Sequence, residues 1–128
     1  MINEIPMANT KLKFDLEERT GKFGEEIIQF AKIVPKNAIT LPLINQLVRS
    51  GTSVGANYCE ADDAESRADF KHKIGICKKE SRETKHWLKM VASAVPELKE
   101  RTQNLQREAQ ELNLIFNAII NSTKKNAH

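Results

Sequence analysis

The chain is short of the residues that break or stiffen a backbone. Four prolines and five glycines in 128 residues are too few for the turns of a β sandwich or barrel. No segment alternates convincingly with a period of two over strand length. No stretch approaches the roughly 18 consecutive apolar residues of a membrane helix. The opening residues, MINEIPMANTKLKF, lack the apolar run of a signal peptide. Only two cysteines occur, Cys59 and Cys77, and they form no CxxC pair. Free thiols in a reducing cytoplasm are expected, with a disulfide between helices as the other reading. His72 and His86 sit far apart, His128 lies in the tail, and neither HExxH nor paired Glu-x-x-His is present. Ser53 lacks a nucleophile-elbow context and Cys59 has no nearby histidine. These gaps lead us to expect no enzyme, no metal and no cofactor.

What is present is helical. The chain is 40% hydrophobic, 29% charged and only 5% aromatic, a balance that suits one domain of long surface helices. Its net charge of +3 is a mild excess compatible with nucleic acid. Apolar or small residues recur at steps of three and four along four segments. Leu16, Thr20, Phe23, Ile27, Phe30 and Val34 form the first seam, and Ile44, Leu47, Gly51, Val54, Tyr58 and Ala61 the second. The third runs Phe70, Ile74, Cys77, Ser81, Thr84, Leu88, Val91; the fourth runs Leu98, Thr102, Leu105, Ala109, Leu112, Phe116, Ile119. Such spacing puts one stripe on each helix.

Boundary signals agree. Asp15 with Glu18 and Ser66 with Asp69 read as capping boxes. Thr40 can cap the second helix, with Pro42 in its first turn, and Pro96 suits the start of the fourth. The expected helices are 15–34, 40–62, 66–93 and 96–122. Residues 1–13 are expected to be a flexible segment, 14–122 the bundle and 123–128 a flexible tail. Short links favour an antiparallel up-down-up-down four-helix bundle, all-α, assembling as a homo-oligomer. A long coiled-coil hairpin assembling between chains is the alternative.

RSGTSVGANYCEA, Arg49 to Ala61, is oddly small and polar for a helix. A phosphate-cradling loop would need a strand before the glycines and a Lys-Ser/Thr after them; neither is there. Each glycine costs a helix interior roughly 0.5–1 kcal/mol relative to alanine, so close approach of a neighbouring helix is expected to offset it. On the other face Gln46, Arg49, Ser50, Ser53, Asn57 and Glu60 project together. They form either a solvated face or a partly buried polar strip carried by Arg49, Ser53, Asn57 and Glu60. In the second reading Arg49 reaches Ser53, and Asn57 bonds Ser53 or Glu60.

RSGTSVGANYCEA and the following ESRADFKHKIGICKKESRETKHWL resemble the bacterial four-helix-bundle proteins encoded within 23S rRNA intervening sequences. The shared residues are Arg49, Ser50, Thr52, Ser53, Val54, Asn57, Glu60 and Ala61, then Ala68, Asp69, Phe70, Ile74, Lys78, Glu80, Glu83, Thr84, Trp87 and Leu88. The likeness runs from about Phe14 to Phe116 and departs at Cys59, Lys85, His86 and the N-terminal extension. It implies a compact bundle forming a homo-oligomer, with a pentamer the expected form, and no established enzymatic activity. A related group of pentamers serves reverse transcriptases of diversity-generating retroelements as accessory factors and binds nucleic acid.

Two surfaces remain for partners. Arg67, Lys71, Lys78, Arg82, Lys85 and Lys89 share one stripe of the third helix, and no acid intervenes on it. Like charges at that spacing repel by a few tenths of a kcal/mol per pair. Acids on the fourth helix (Glu97, Glu100, Glu108, Glu111) or the first (Glu17, Glu18, Glu25, Glu26) could neutralise it. Otherwise a phosphate backbone of RNA or DNA does so, in a sequence-tolerant, salt-dependent contact. The aromatic residues of a stacking platform are missing. Ile76, Trp87 and Met90, with Leu114 on the fourth helix, form a second apolar arc. That arc is either a wide core or an oligomer interface, with Trp87 as anchor. Two functions follow: a homo-oligomeric nucleic-acid-binding protein, or a protein–protein scaffold or accessory subunit.

Overall fold

The computed structural model describes the backbone of residues 4–126 and the side chains of residues 16–124. Four helices account for most of it: α1 (Glu4–Ile33), α2 (Thr40–Asp62), α3 (Arg67–Ala94) and α4 (Lys99–Asn126). A single 3-10 turn, Pro96–Leu98, leads into α4. No strand occurs among the described residues, so the chain is an all-α, four-helix bundle.

The seams are the core. All six residues expected on α1 and all six on α2 are buried, as are Ile74, Cys77, Ser81, Thr84, Leu88 and Val91 on α3, while Phe70 at the start of that seam is half-buried. On α4, Thr102, Leu105, Ala109, Leu112 and Phe116 are buried, and the end residues Leu98 and Ile119 are half-buried. Each large apolar side chain fully withdrawn from water contributes roughly 1.5–3 kcal/mol. Tyr58 of α2 and Phe116 of α4 meet across the interior with ring centroids 6.4 Å apart. The seam hydroxyls of Thr20, Ser81 and Thr102 each donate to a carbonyl of their own helix, as does Ser50 on the polar face of α2. The Thr84 hydroxyl has two acceptors in reach, the Glu80 carbonyl and, 3.0 Å away on α2, the Ser50 hydroxyl; donating to the latter joins α2 to α3.

The glycine-rich stretch is continuous helix with no positive φ. At Gly51 an added Cβ would stand 2.9 Å from two carbons of Ile27 on α1. At Gly55 it would stand 3.3 Å from the Thr20 backbone. Gly24, on the α1 side of the crossing, is itself buried. The close approach lets Ile27 bury completely, a gain larger than the helical cost of one glycine.

The ends differ from expectation. α1 begins at Glu4, so Asp15 lies inside a helix and is not a cap. Pro6 falls in its first turn, where proline is tolerated. The segment expected to be flexible, 1–13, is therefore helical from Glu4; residues 1–3 lie outside the described residues, as do 127–128 of the expected tail. α4 runs on to Asn126. Thr40 does not cap α2 through its own N-terminal amides. The Asn37 Oδ1 accepts from the amides of Ile39 and Thr40, while the Thr40 hydroxyl accepts from the Asn37 amide. This is a capping box with Asn37 as the cap and threonine in the place glutamate usually takes. Ser66 caps α3 as expected, accepting from the Asp69 amide.

Cys59 is exposed, Cys77 buried, and both are free thiols. Burial pushes the Cys77 thiol up to about 12, which leaves it an inert core residue.

Candidate functional site

α3 has two unlike flanks. One meets α2. There Arg49 donates to Glu80 at 2.8 Å and to Glu83 at 3.2 Å, and Lys73 pairs with Glu60 at 3.3 Å. Glu80 is almost fully buried, and Ile76, Trp87 and Met90 continue its line at steps of three and four. Ile76 is half-buried, and Trp87 packs on the core with its indole N–H buried and without a hydrogen-bond partner among the described residues. Met90 and, on α4, Leu114 stand exposed.

The polar strip of α2 is only partly covered within the chain. Arg49 and Glu60 are exposed, and Ser53 and Asn57 are half-buried. Nor do its members bond one another's side chains as expected. Ser53 donates to the Arg49 carbonyl and Asn57 to the Ser53 carbonyl. Arg49 turns to Gln46 and to the acids of α3, because a carboxylate outcompetes a hydroxyl for a guanidinium. The buried member of the face is Ser50.

The other flank meets α4 and carries the basic stripe. Lys78 and Lys85 are half-buried; Arg67, Lys71, Arg82 and Lys89 are exposed. Among the described residues none of Lys71, Lys78, Arg82, Lys85 and Lys89 has a carboxylate within ion-pair distance. Two of the acids expected to neutralise them are engaged by α1 instead. Glu108 accepts two hydrogen bonds from Arg19 of α1, both at 2.7 Å, and Glu111 accepts a third. The Glu108 hydrogen bond, above all, holds the Arg19 guanidinium in its charged form, raising its already high pKa.

Amides meet the lysines instead. Lys78 Nζ donates to Asn117 Oδ1 and Lys85 Nζ to Gln110 Oε1, both at 2.9 Å. Asn113 donates back to the Lys78 carbonyl at 2.8 Å. Gln103, Gln106, Gln110, Asn113 and Asn117 thus form an α4 row, stepped by three and four, alongside the stripe. That row was legible in the sequence by the same periodicity that reveals the seams, had amides been followed as well as charges.

Between row and stripe runs a shallow trough. One depression is lined by Arg82, Lys85, His86, Lys89, Gln110 and Asn113. The next shares Lys85 and Gln110 and adds Gln103, Gln106, Arg107 and Glu111. A third shares Lys89, Gln103 and Gln106 and ends at Ser93, Pro96 and Lys99. The shared residues make the three continuous. The trough offers donors and positive charge, which suits an extended anion. Among the described residues no three of His, Cys, Asp and Glu gather as a metal site would require, and no helix is long and apolar enough to cross a membrane.

No curated protein matches the chain. A solved structure is similar, that of a protein of unknown function from the S23 ribosomal protein family of Bacteroides thetaiotaomicron. It is 30% identical, with a TM-score of 0.78, over 85% of this chain and 97% of its own. The 23S rRNA-intervening sequence protein family matches residues 13–118. A match over so much of the bundle, helices and trough included, makes this chain a member of the 23S rRNA-intervening sequence protein family.

Proposed function

We propose that this protein is a non-enzymatic, up-down-up-down four-helix bundle that assembles as a homo-oligomer and binds nucleic acid, RNA in particular, through the basic stripe of α3. The carrying observation is the unneutralised run from Lys71 to Lys89 among the described residues. Among the described residues Lys71, Lys78, Arg82, Lys85 and Lys89 line up with no carboxylate within ion-pair distance, while Glu108 and Glu111 are engaged by Arg19. A polyanion supplies the missing charge and releases counterions as it binds.

Paired positions support the alternating helix directions. From Lys73–Glu60 to Thr84–Ser50, α3 numbers rise as α2 numbers fall. From Lys78–Asn117 to Lys85–Gln110, α4 numbers fall as α3 numbers rise. The Trp87 N–H without a partner, beside exposed Met90, favours a protein contact on the α2 flank, since buried donors are rarely left unpaired. We read that contact as self-association, a pentamer being what the family resemblance leads us to expect. Free thiols fit a cytoplasmic setting.

The same tryptophan supports a second reading, a scaffold or accessory subunit, for example of a reverse transcriptase, with no direct nucleic-acid contact. Lys78→Glu combined with Arg82→Glu separates the two. Under the nucleic-acid reading, anisotropy titrations at low salt show binding by the parent and its loss in the variant, with the assembly mass unchanged. A parent that binds neither RNA nor DNA at low salt ends that reading. A variant that falls apart supports intersubunit ion pairs and the scaffold.

A further inference from the structure

The trough does more than attract negative charge: its amides are set in fixed and alternating senses. Each sense is forced by its partner's chemistry. Lys78 and Lys85 ammoniums only donate, so the oxygens of Asn117 and Gln110 must face them. The amino groups of these two residues are left as donors. The Lys78 carbonyl only accepts, so Asn113 must present its amino group there and keeps Oδ1 as an acceptor. The Thr102 hydroxyl gives its proton to the Lys99 carbonyl and therefore accepts from Gln106, whose Oε1 is left over in the same way. Read along α4, the wholly unused group alternates: the oxygen at Gln106 and Asn113, the amino group at Gln110 and Asn117, with each part-used group keeping a second N–H or lone pair.

A cationic trough that served phosphates alone would gain nothing from acceptors. The DNA sugar–phosphate backbone carries no hydrogen-bond donor. The RNA backbone carries one kind, the 2′-hydroxyl, which donates and accepts and is the group by which proteins tell RNA from DNA. Resting on the nucleic-acid reading above, we infer that Gln106 and Asn113 accept from ribose 2′-hydroxyls while Gln110, Lys85 and Lys89 hold the phosphates, so the trough selects RNA over DNA. The trough lacks stacking aromatics and would read the backbone with little regard to sequence.

The test uses one sequence made as RNA, DNA and 2′-O-methyl RNA, offered as single strands and as duplexes to the full chain. The methyl ether keeps the RNA-like sugar but removes the donor. RNA is expected to bind roughly fivefold tighter per acceptor engaged than either of the others. Gln106→Met with Asn113→Leu should bring the three affinities together without altering the salt dependence, because neither residue carries charge. Gln106→Met alone, which removes an amide hydrogen-bonded within α4, should narrow the gap by about half on a logarithmic scale, even if the Asn113 variant unfolds. Equal binding of RNA and its 2′-O-methyl form overturns the inference and leaves nucleic-acid binding standing. So does a variant that weakens all three ligands alike. Polyglutamate that displaces RNA as well as free RNA does would make this an acidic-peptide site and overturn it too. No binding by any of the three oligonucleotides defeats both the inference and the proposed function.

Discussion

Glu80 is a carboxylate placed where water scarcely reaches, and one arginine keeps it tolerable. Burial raises its pKa above the usual glutamate range and Glu83 adds to the rise, while Arg49 works in the opposite direction. An acid raised on folding favours the fold below its unfolded pKa, and that help fades as pH climbs through the folded value. Removing Arg49 sharpens the loss, because a buried acceptor is left without its partner. Arg49→Met is expected to cost about 1–3 kcal/mol at about pH 8 and clearly less at about pH 4, where the carboxyl holds its proton. Urea melts of parent and variant at both pH values check this; a pH-independent loss would mean that Arg49 contributes packing alone. The sequence placed Arg49 on a polar face but not this role. Its partners lie 31 and 34 positions away, beyond what helical spacing can reveal.

Helix by helix, the sequence was most legible where the rule was periodic and least where it was local. The four seams followed from steps of three and four, and they are the core. The small-residue patch was read as a tight crossing, and Ile27 fills the space that a side chain at Gly51 would need. Gly51→Ala should therefore destabilise the fold by about 1–3 kcal/mol, as overpacking does, despite alanine's better helix propensity. Gly75 on α3 meets nothing within 4 Å of an added Cβ, so Gly75→Ala should stabilise by roughly 0.5–1 kcal/mol. Thermal melts of the two variants should shift in opposite directions. The start of α1 was misread because an Asp-x-x-Glu pattern is also ordinary helix surface, and nothing after Pro6 interrupts the turn pattern. The cap at Asn37 was missed because threonine, not glutamate, closes the box. The basic stripe could be drawn from the sequence; the amide senses could not, since partners on both helices fix them.

For the molecule as a whole, the division of α3 into two flanks lets the proposed assembly and the proposed ligand binding be tested separately. The arc with Trp87 lies on the α2 side and the cations on the α4 side. Trp87→Ala is expected to lower the mass measured by native mass spectrometry while helicity and RNA affinity per chain persist. An unchanged mass would count against that flank as the contact between copies. Arg19 has a less obvious reach. It sits on α1, away from the trough, yet it holds Glu108 and Glu111, and Glu111 forms part of the trough's rim. Its guanidinium acts as a counterweight, keeping two anions from discharging the lysine rail. A neutral residue at position 19 would leave two uncompensated carboxylates beside that rim without altering any residue of the trough itself.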